Sequence, residues 1–165
     1  MLLLLEKVNN MKTKVLNILV VLLLLTGCGK SQILTCTSTE ESDGLQLREE
    51  VAITFSNKKA SNVAMSVDMK AIDDDSKKMW SEIIDFYTKK FPISNEEGLV
   101  VKALDNKDSY HYTINMVIDL NKVSEDTLTK YELDDLLNNN DTINDIKLEA
   151  EQNGFTCNIT EKSNN

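Results

Sequence analysis

The sequence predicts an α+β domain: an antiparallel sheet of about six strands, packed on one face by two to three helices. Three observations predict it. Apolar and polar residues alternate with period two in several stretches between Ile33 and Ile159, the mark of half-buried strands. Each such stretch has one apolar and one polar face, which fits an antiparallel sheet covered on one side. At Asp73 the period changes to three and four residues, the mark of an amphipathic helix. The expected order is βββα-ββ-αα-β, with no internal repeat.

The first strand is expected over Ile33–Thr39, a short β-branched stretch that holds Cys36. The second covers Leu45–Phe55, where Leu45, Leu47, Val51, Ile53 and Phe55 share a face and Gln46, Arg48, Glu50 and Thr54 take the other. In the third, Val63, Met65, Val67 and Met69 alternate with Ala64, Ser66, Asp68 and Lys70. Ser56-Asn57-Lys58-Lys59 is the turn that pairs these two strands as a hairpin. The helix that follows carries Met79, Trp80, Ile83, Ile84, Tyr87 and Phe91 on one stripe, with Trp80 expected at the centre of the core. Asp73-Asp74-Asp75-Ser76 caps its start and suits the positive end of the helix dipole. Lys89 and Lys90 suit the other end, and Pro92 follows the stop.

Two further strands, Gly98–Leu104 and Ser109–Asp119, flank the turn Asp105-Asn106-Lys107-Asp108. In the latter, Tyr110, Tyr112, Ile114, Met116 and Ile118 are expected on one face. A weaker helix is expected over Val123–Leu137, with Leu128, Tyr131, Leu133, Leu136 and Leu137 apolar, broken by Asn138-Asn139-Asn140-Asp141. Thr142–Asn153 reads as a helix with Ile143, Ile146, Leu148 and Ala150 apolar, ended by Gly154. Phe155–Ile159 is the last strand. A chain of 165 residues argues for one domain, here residues 33–160, with Glu161–Asn165 as a fraying polar tail.

Upstream lies a different kind of sequence. Met11–Cys28 reads MKTKVLNILVVLLLLTGC, in which Lys12 and Lys14 give a basic start and Val15–Leu25 is apolar except for Asn17. Those eleven residues are too few to span a hydrocarbon core, which needs about 20, but they suit the apolar region of a signal peptide. Leu25-Thr26-Gly27-Cys28 resembles the bacterial lipobox, where small residues precede the cysteine that takes a diacylglycerol. Residues 1–27 are therefore expected to be a signal peptide, Cys28 the lipidated residue, and 28–32 the tether. Met1–Asn10 adds Glu6 and four leucines ahead of the basic start, so Met11 is the expected true start. The alternative is an ordinary signal peptide or anchor helix with an incidental cysteine.

Composition excludes several function classes. With 18 Lys+Arg against 27 Asp+Glu the chain carries −9, a poor match for nucleic acid or for a polybasic contact with anionic lipid. Residues 1–27 hold a net +2, so the remaining 138 carry −11. One His and three Cys are too few for most zinc sites, and no metal or cofactor is expected. With Cys28 lipidated, Cys36 and Cys157 are left as an even pair in an exported compartment and are expected to bond. The alternative is two buried free thiols. A bond would require Cα atoms within about 7 Å, which makes the first and last strands neighbours.

The lipobox, the early strand Leu34-Thr35-Cys36-Thr37, the hairpin after it and the ending Gly154-Phe155-Thr156-Cys157 together resemble the YehR-like bacterial lipoproteins. These are small cell-envelope lipoproteins built on a domain of unknown function. The resemblance covers about Cys28 to Asn158 and rests on element order and the two outlying cysteines. It implies an antiparallel sheet packed by helices, and it implies no activity.

Motifs that carry chemistry are scarce. His111 falls on the polar face of its strand with no Ser or Cys nucleophile motif beside it. Asn138, Asn140 and Glu149 take positions 1, 3 and 12 of a calcium loop, but Ile143 stands where that loop needs glycine. No phosphate-cradling Gly-rich loop, HExxH or CxxC occurs. Core filling accounts for Met65, Met69, Met79 and Met116, which could otherwise line a greasy pocket. The expected function is a non-enzymatic binding or adaptor domain, lipid-anchored to the bacterial cell membrane on its extracytoplasmic side. An envelope protein or other surface component is the expected partner. The alternative is a carrier holding a small apolar ligand between helices and sheet. An enzyme is disfavoured because no nucleophile–base pair is visible.

Overall fold

The computed structural model describes residues 31–131 and 142–162. Seven strands form one sheet: β1 (Ser31–Ser42), β2 (Leu45–Ser56), β3 (Lys59–Ala71), β4 (Ser94–Glu96), β5 (Leu99–Asn106), β6 (His111–Asp119) and β7 (Thr156–Lys162). Their order across the sheet is β4-β5-β6-β3-β2-β1-β7, and every neighbouring pair is antiparallel. The described helices are α1 (Asp74–Lys78), α2 (Trp80–Lys90), α3 (Glu125–Lys130) and α4 (Ile143–Gln152). The fold is α+β, with one strand more than the sequence pattern counts.

Local chemistry explains the regular part. Asn57 and Lys58 take φ of 52° and 68°, the two successive left-handed residues that a tight hairpin turn between β2 and β3 demands. In β6, Tyr112, Ile114, Met116 and Ile118 are buried while the residues between them stay half-exposed. That alternation is the signature of a sheet covered on one face. Leu34, Val51, Met65, Val67, Leu99 and Val101 continue the buried face across the other strands, and Trp80, Tyr87, Phe91, Leu128 and Ala150 come from the helices to join the same core. Asp73 caps α1 in a reciprocal box: its carboxylate accepts from the Ser76 N–H at 2.7 Å, and the Ser76 hydroxyl sits opposite the Asp73 N–H.

Several expectations are corrected. β1 starts at Ser31, inside the expected tether, and β7 runs to Lys162, inside the expected free tail. Ser31 faces Lys162 and Gln32 faces Glu161, so each strand's end gives the other's backbone its partners. The single helix expected after Asp73 is two, broken at Met79, whose ψ of 1° departs from the helical value of about −42°. Tyr110 does not lie on the face of β6. Its φ of 48° is left-handed and closes the 3₁₀ turn Lys107–Ser109, so the strand begins at His111, two residues later than expected. Leu148 is 57% exposed because, at about 100° per residue, Ile143, Ile146 and Ala150 face the core and Leu148 points away. Trp80 is buried, but at one end of the core, edge to face with Tyr110 at the β5–β6 turn. The centre is Met65 and Val67 on the middle strand β3, with Met116 and Ile114 facing them on its neighbour β6. Leu133, Leu136, Leu137 and Asn138–Asp141 lie outside the described residues, as does Cys28.

Candidate functional site

Two groups of polar side chains stand out, one on each face of the sheet. The first is centred on Glu49. Strand parity puts this residue between Leu47 and Val51 on the apolar face, and it is 5% exposed. Its register partner on β1 is Ser38, whose hydroxyl donates to Glu49 Oε2 at 3.1 Å. Glu49 Oε1 is buried with no partner among the described residues. Burial pushes the carboxyl up to about 7; the Ser38 bond opposes this, the negative charge of Glu40 adds to it, and Lys90 of α2 opposes it. Tyr87, on α2 and itself buried, has its phenol pushed up by burial and then by the charges of Glu49 and Glu40. This arrangement can hold or release one proton near neutral pH. Sequence reasoning passed over Glu49, although the two-residue period already demanded an inward side chain at that position.

The second group lies on the uncovered face. His111 Nε2 is 2.7 Å from Asp68 Oδ2, and because a carboxylate only accepts, that nitrogen carries the hydrogen. Thr113 Oγ1 donates to the same oxygen at 3.2 Å. The side chains of His111 and Asp68 are 39% and 42% exposed. The β2–β3, β3–β6 and β5–β6 registers align Arg48, Asp68, Thr113 and Leu104 in one row across four strands. Leu104, 68% exposed, is an apolar side chain held in solvent at the end of that row. Arg48 is paired at 3.1 Å with Glu50 on its own strand. The histidine expected to be merely solvated is therefore part of a hydrogen-bonded patch. A His–Asp pair can orient an imidazole, and here the Thr113 hydroxyl donates to the same carboxylate oxygen.

The other sequence candidates sort plainly. Cys36 and Cys157 are joined in a disulfide between facing residues of β1 and β7. Asp73-Asp74-Asp75 is a helix cap with Lys77 and Lys78 paired to Asp74 and Asp75. Residues 143–149, the second half of the calcium-loop spacing, are helical, a conformation that cannot wrap an ion as such a loop does. Among the described residues no three His, Cys, Asp or Glu side chains converge as a metal site would need, and no helix is long and apolar enough to cross a membrane. Met65, Met69 and Met116 are each 1% exposed or less, packed within the core.

No protein-family profile matches the sequence, and no curated protein does. Among solved structures the chain is similar to a protein of Streptococcus pneumoniae TIGR4 determined by NMR, at 13% identity and a TM-score of 0.54. The similarity covers 84% of this chain and 92% of that one, and at this identity it shows the fold alone.

Proposed function

We propose that the chain is a bacterial lipoprotein anchored through Cys28, and that its domain is a binding or adaptor module of the cell envelope rather than an enzyme. The row Arg48–Asp68–Thr113–Leu104 carries the reading of the domain. It presents an arginine, a hydrogen-bonded His–Asp pair and an exposed leucine side by side on a face the described helices leave open. Apolar and arginine side chains set in a polar surround are the composition of a protein contact surface. The lipobox residues Leu25-Thr26-Gly27-Cys28 and the likeness to the YehR-like lipoproteins support the anchor and the envelope setting.

Two measurements test this. Cys28→Ala should abolish the acyl mass on the chain and its recovery with membranes; unchanged lipid labelling would defeat the anchor. Affinity capture of the lipidated protein from its own membranes should return a partner that Leu104→Ser with Arg48→Glu loses. Both side chains are exposed, so the double variant should keep its unfolding midpoint. Equal recovery by parent and double variant would remove the open face from the reading.

A further inference from the structure

We propose that the open face of the sheet pairs with the open face of a second copy of this chain, about a twofold axis that runs along the strands between β2 and β3. This rests on the reading of that face as a contact surface. Charge carries the choice of partner. The strand residues on the face are close to neutral: Arg48, Lys70 and Lys102 are matched by Glu50, Asp68 and Asp119, and at the margins Lys59 and Lys162 by Glu41. The whole chain carries −9, so two copies can meet here without the repulsion that their acidic surplus sets up elsewhere.

Register decides how the copies fit. In an isologous pair each contact occurs twice, residue i on j and j on i. An axis along the strands keeps every row level and exchanges left for right, so β2 lies over the partner's β3, β1 over its β6 and β7 over its β5. Arg48 and Asp68 share a row of β2 and β3, so Arg48 of each copy meets the partner's Asp68. Arg48 spends Nη2 on Glu50 and keeps further donors. The bonds from His111 and Thr113 both land on Asp68 Oδ2, and no described residue donates to Oδ1, which is left for that guanidinium. One row along, Glu41 meets the partner's His111, since both are level with Gln46 and Lys70. Two rows the other way, Ala52 meets the partner's Ala64, so nothing bulky holds the sheets apart there. An axis on β3 itself would instead set Lys70 and Asp68 each against its own copy. Sheets packed face to face cross at about 30°, and register holds best beside the axis, where Arg48 and Asp68 stand.

The overlapping strands, β7 to β5, span about 24 Å at about 4.8 Å spacing, and the nine residues of β6 run about 30 Å. That offers up to about 700 Å² per copy, which clears the roughly 1,000 Å² in total that a specific contact needs. Because rows stay level, both Ser31 ends lie at one end of the pair. Anchors at the two Cys28 residues, three positions upstream, would then enter the same membrane.

The test uses the full lipidated chain in detergent micelles, with mass read by sedimentation. The parent should be dimeric. Arg48→Glu alone brings like charges together twice, as does Asp68→Arg alone, and each should weaken dimerisation at least about tenfold. An equimolar mixture of the two variants should restore the dimer, because both contacts between unlike copies then join opposite charges. That rescue also shows that both variants fold. Variants as dimeric as the parent, or a mixture no more dimeric than its components, overturn the pairing. A monomeric parent overturns the second copy as occupant. The contact-surface reading then stands if capture from membranes returns a different protein that Arg48→Glu loses, and falls too if capture returns none.

Discussion

Cys36 and Cys157 stand directly opposite each other on antiparallel β1 and β7, with Cα atoms 4.0 Å apart and a disulfide joining positions 121 residues apart in sequence. The bond fixes the pairing of the sheet's outermost strand. Cross-linking so long a loop restricts the unfolded chain, so Cys36→Ser should lower stability by about 2–5 kcal/mol in urea unfolding under oxidising conditions. Under strong reductant, parent and variant should converge. Two reactive thiols in the denatured, unreduced protein would refute the bond.

Glu49 gives the domain a pH dependence with a definite sign. Its folded-state value of about 7 lies above the ordinary 4.5, so the folded protein holds this proton more tightly than the unfolded chain. Below pH 4.5 both states are protonated and the site costs nothing. Stability is lost as pH rises from there through about 7, by about 3 kcal/mol in all, and the loss persists above. Glu49→Gln should therefore be more stable than the parent by about 1–3 kcal/mol at pH 8 and nearly equal to it below pH 4.5. Parallel stability curves across that range would mean the carboxyl is not buried.

Gly98 and Gly154 should respond differently to the same methyl group. Both take positive φ, 78° and 91°, where an L side chain costs about 1–2 kcal/mol. A Cβ at Gly154 meets open space, so Gly154→Ala should cost no more than that strain. At Gly98 it would overlap the backbone of Lys122 and Val123, which cannot rotate aside. Gly98→Ala should cost about 2–4 kcal/mol, and equal midpoints for the two variants would place the 119–123 turn elsewhere.

Trp80 separates ring volume from its polar atom. Trp80→Ala should cost about 3–5 kcal/mol by leaving a cavity at the Tyr110 end of the core. Its Nε1 is buried without a partner among the described residues, so Trp80→Phe removes an unsatisfied donor along with some volume. The phenylalanine variant should lose less than about 2 kcal/mol. Equal losses in the two would mean that the indole N–H, which both variants lack, carries the cost and is not an unsatisfied donor.

Strands β3 and β6 were legible because each has neighbours on both sides and helices on one face, which forces the period of two. β4 was not, since three polar-edged residues after Pro92 hold no period to read. The β1–β7 pairing was reachable only through the cysteines; nothing in either strand's side chains names the other. The patch on the open face needed the β3–β6 register, which brings Asp68 to Thr113 across 45 positions, and local periodicity carries no register between distant strands. Glu49 was readable from parity, but its cost to stability follows only from what closes over it.

The place of β7 in the sheet also sets a timetable. A chain made from its amino end completes β1 early, yet one edge of that twelve-residue strand stays unpaired until Thr156–Lys162 has arrived. The first strand begun is the last to be enclosed. Product cut short before Thr156 would offer that edge, with Cys36 unbonded on it, to any other extended chain it met, so incomplete copies of this domain should be the ones that clump.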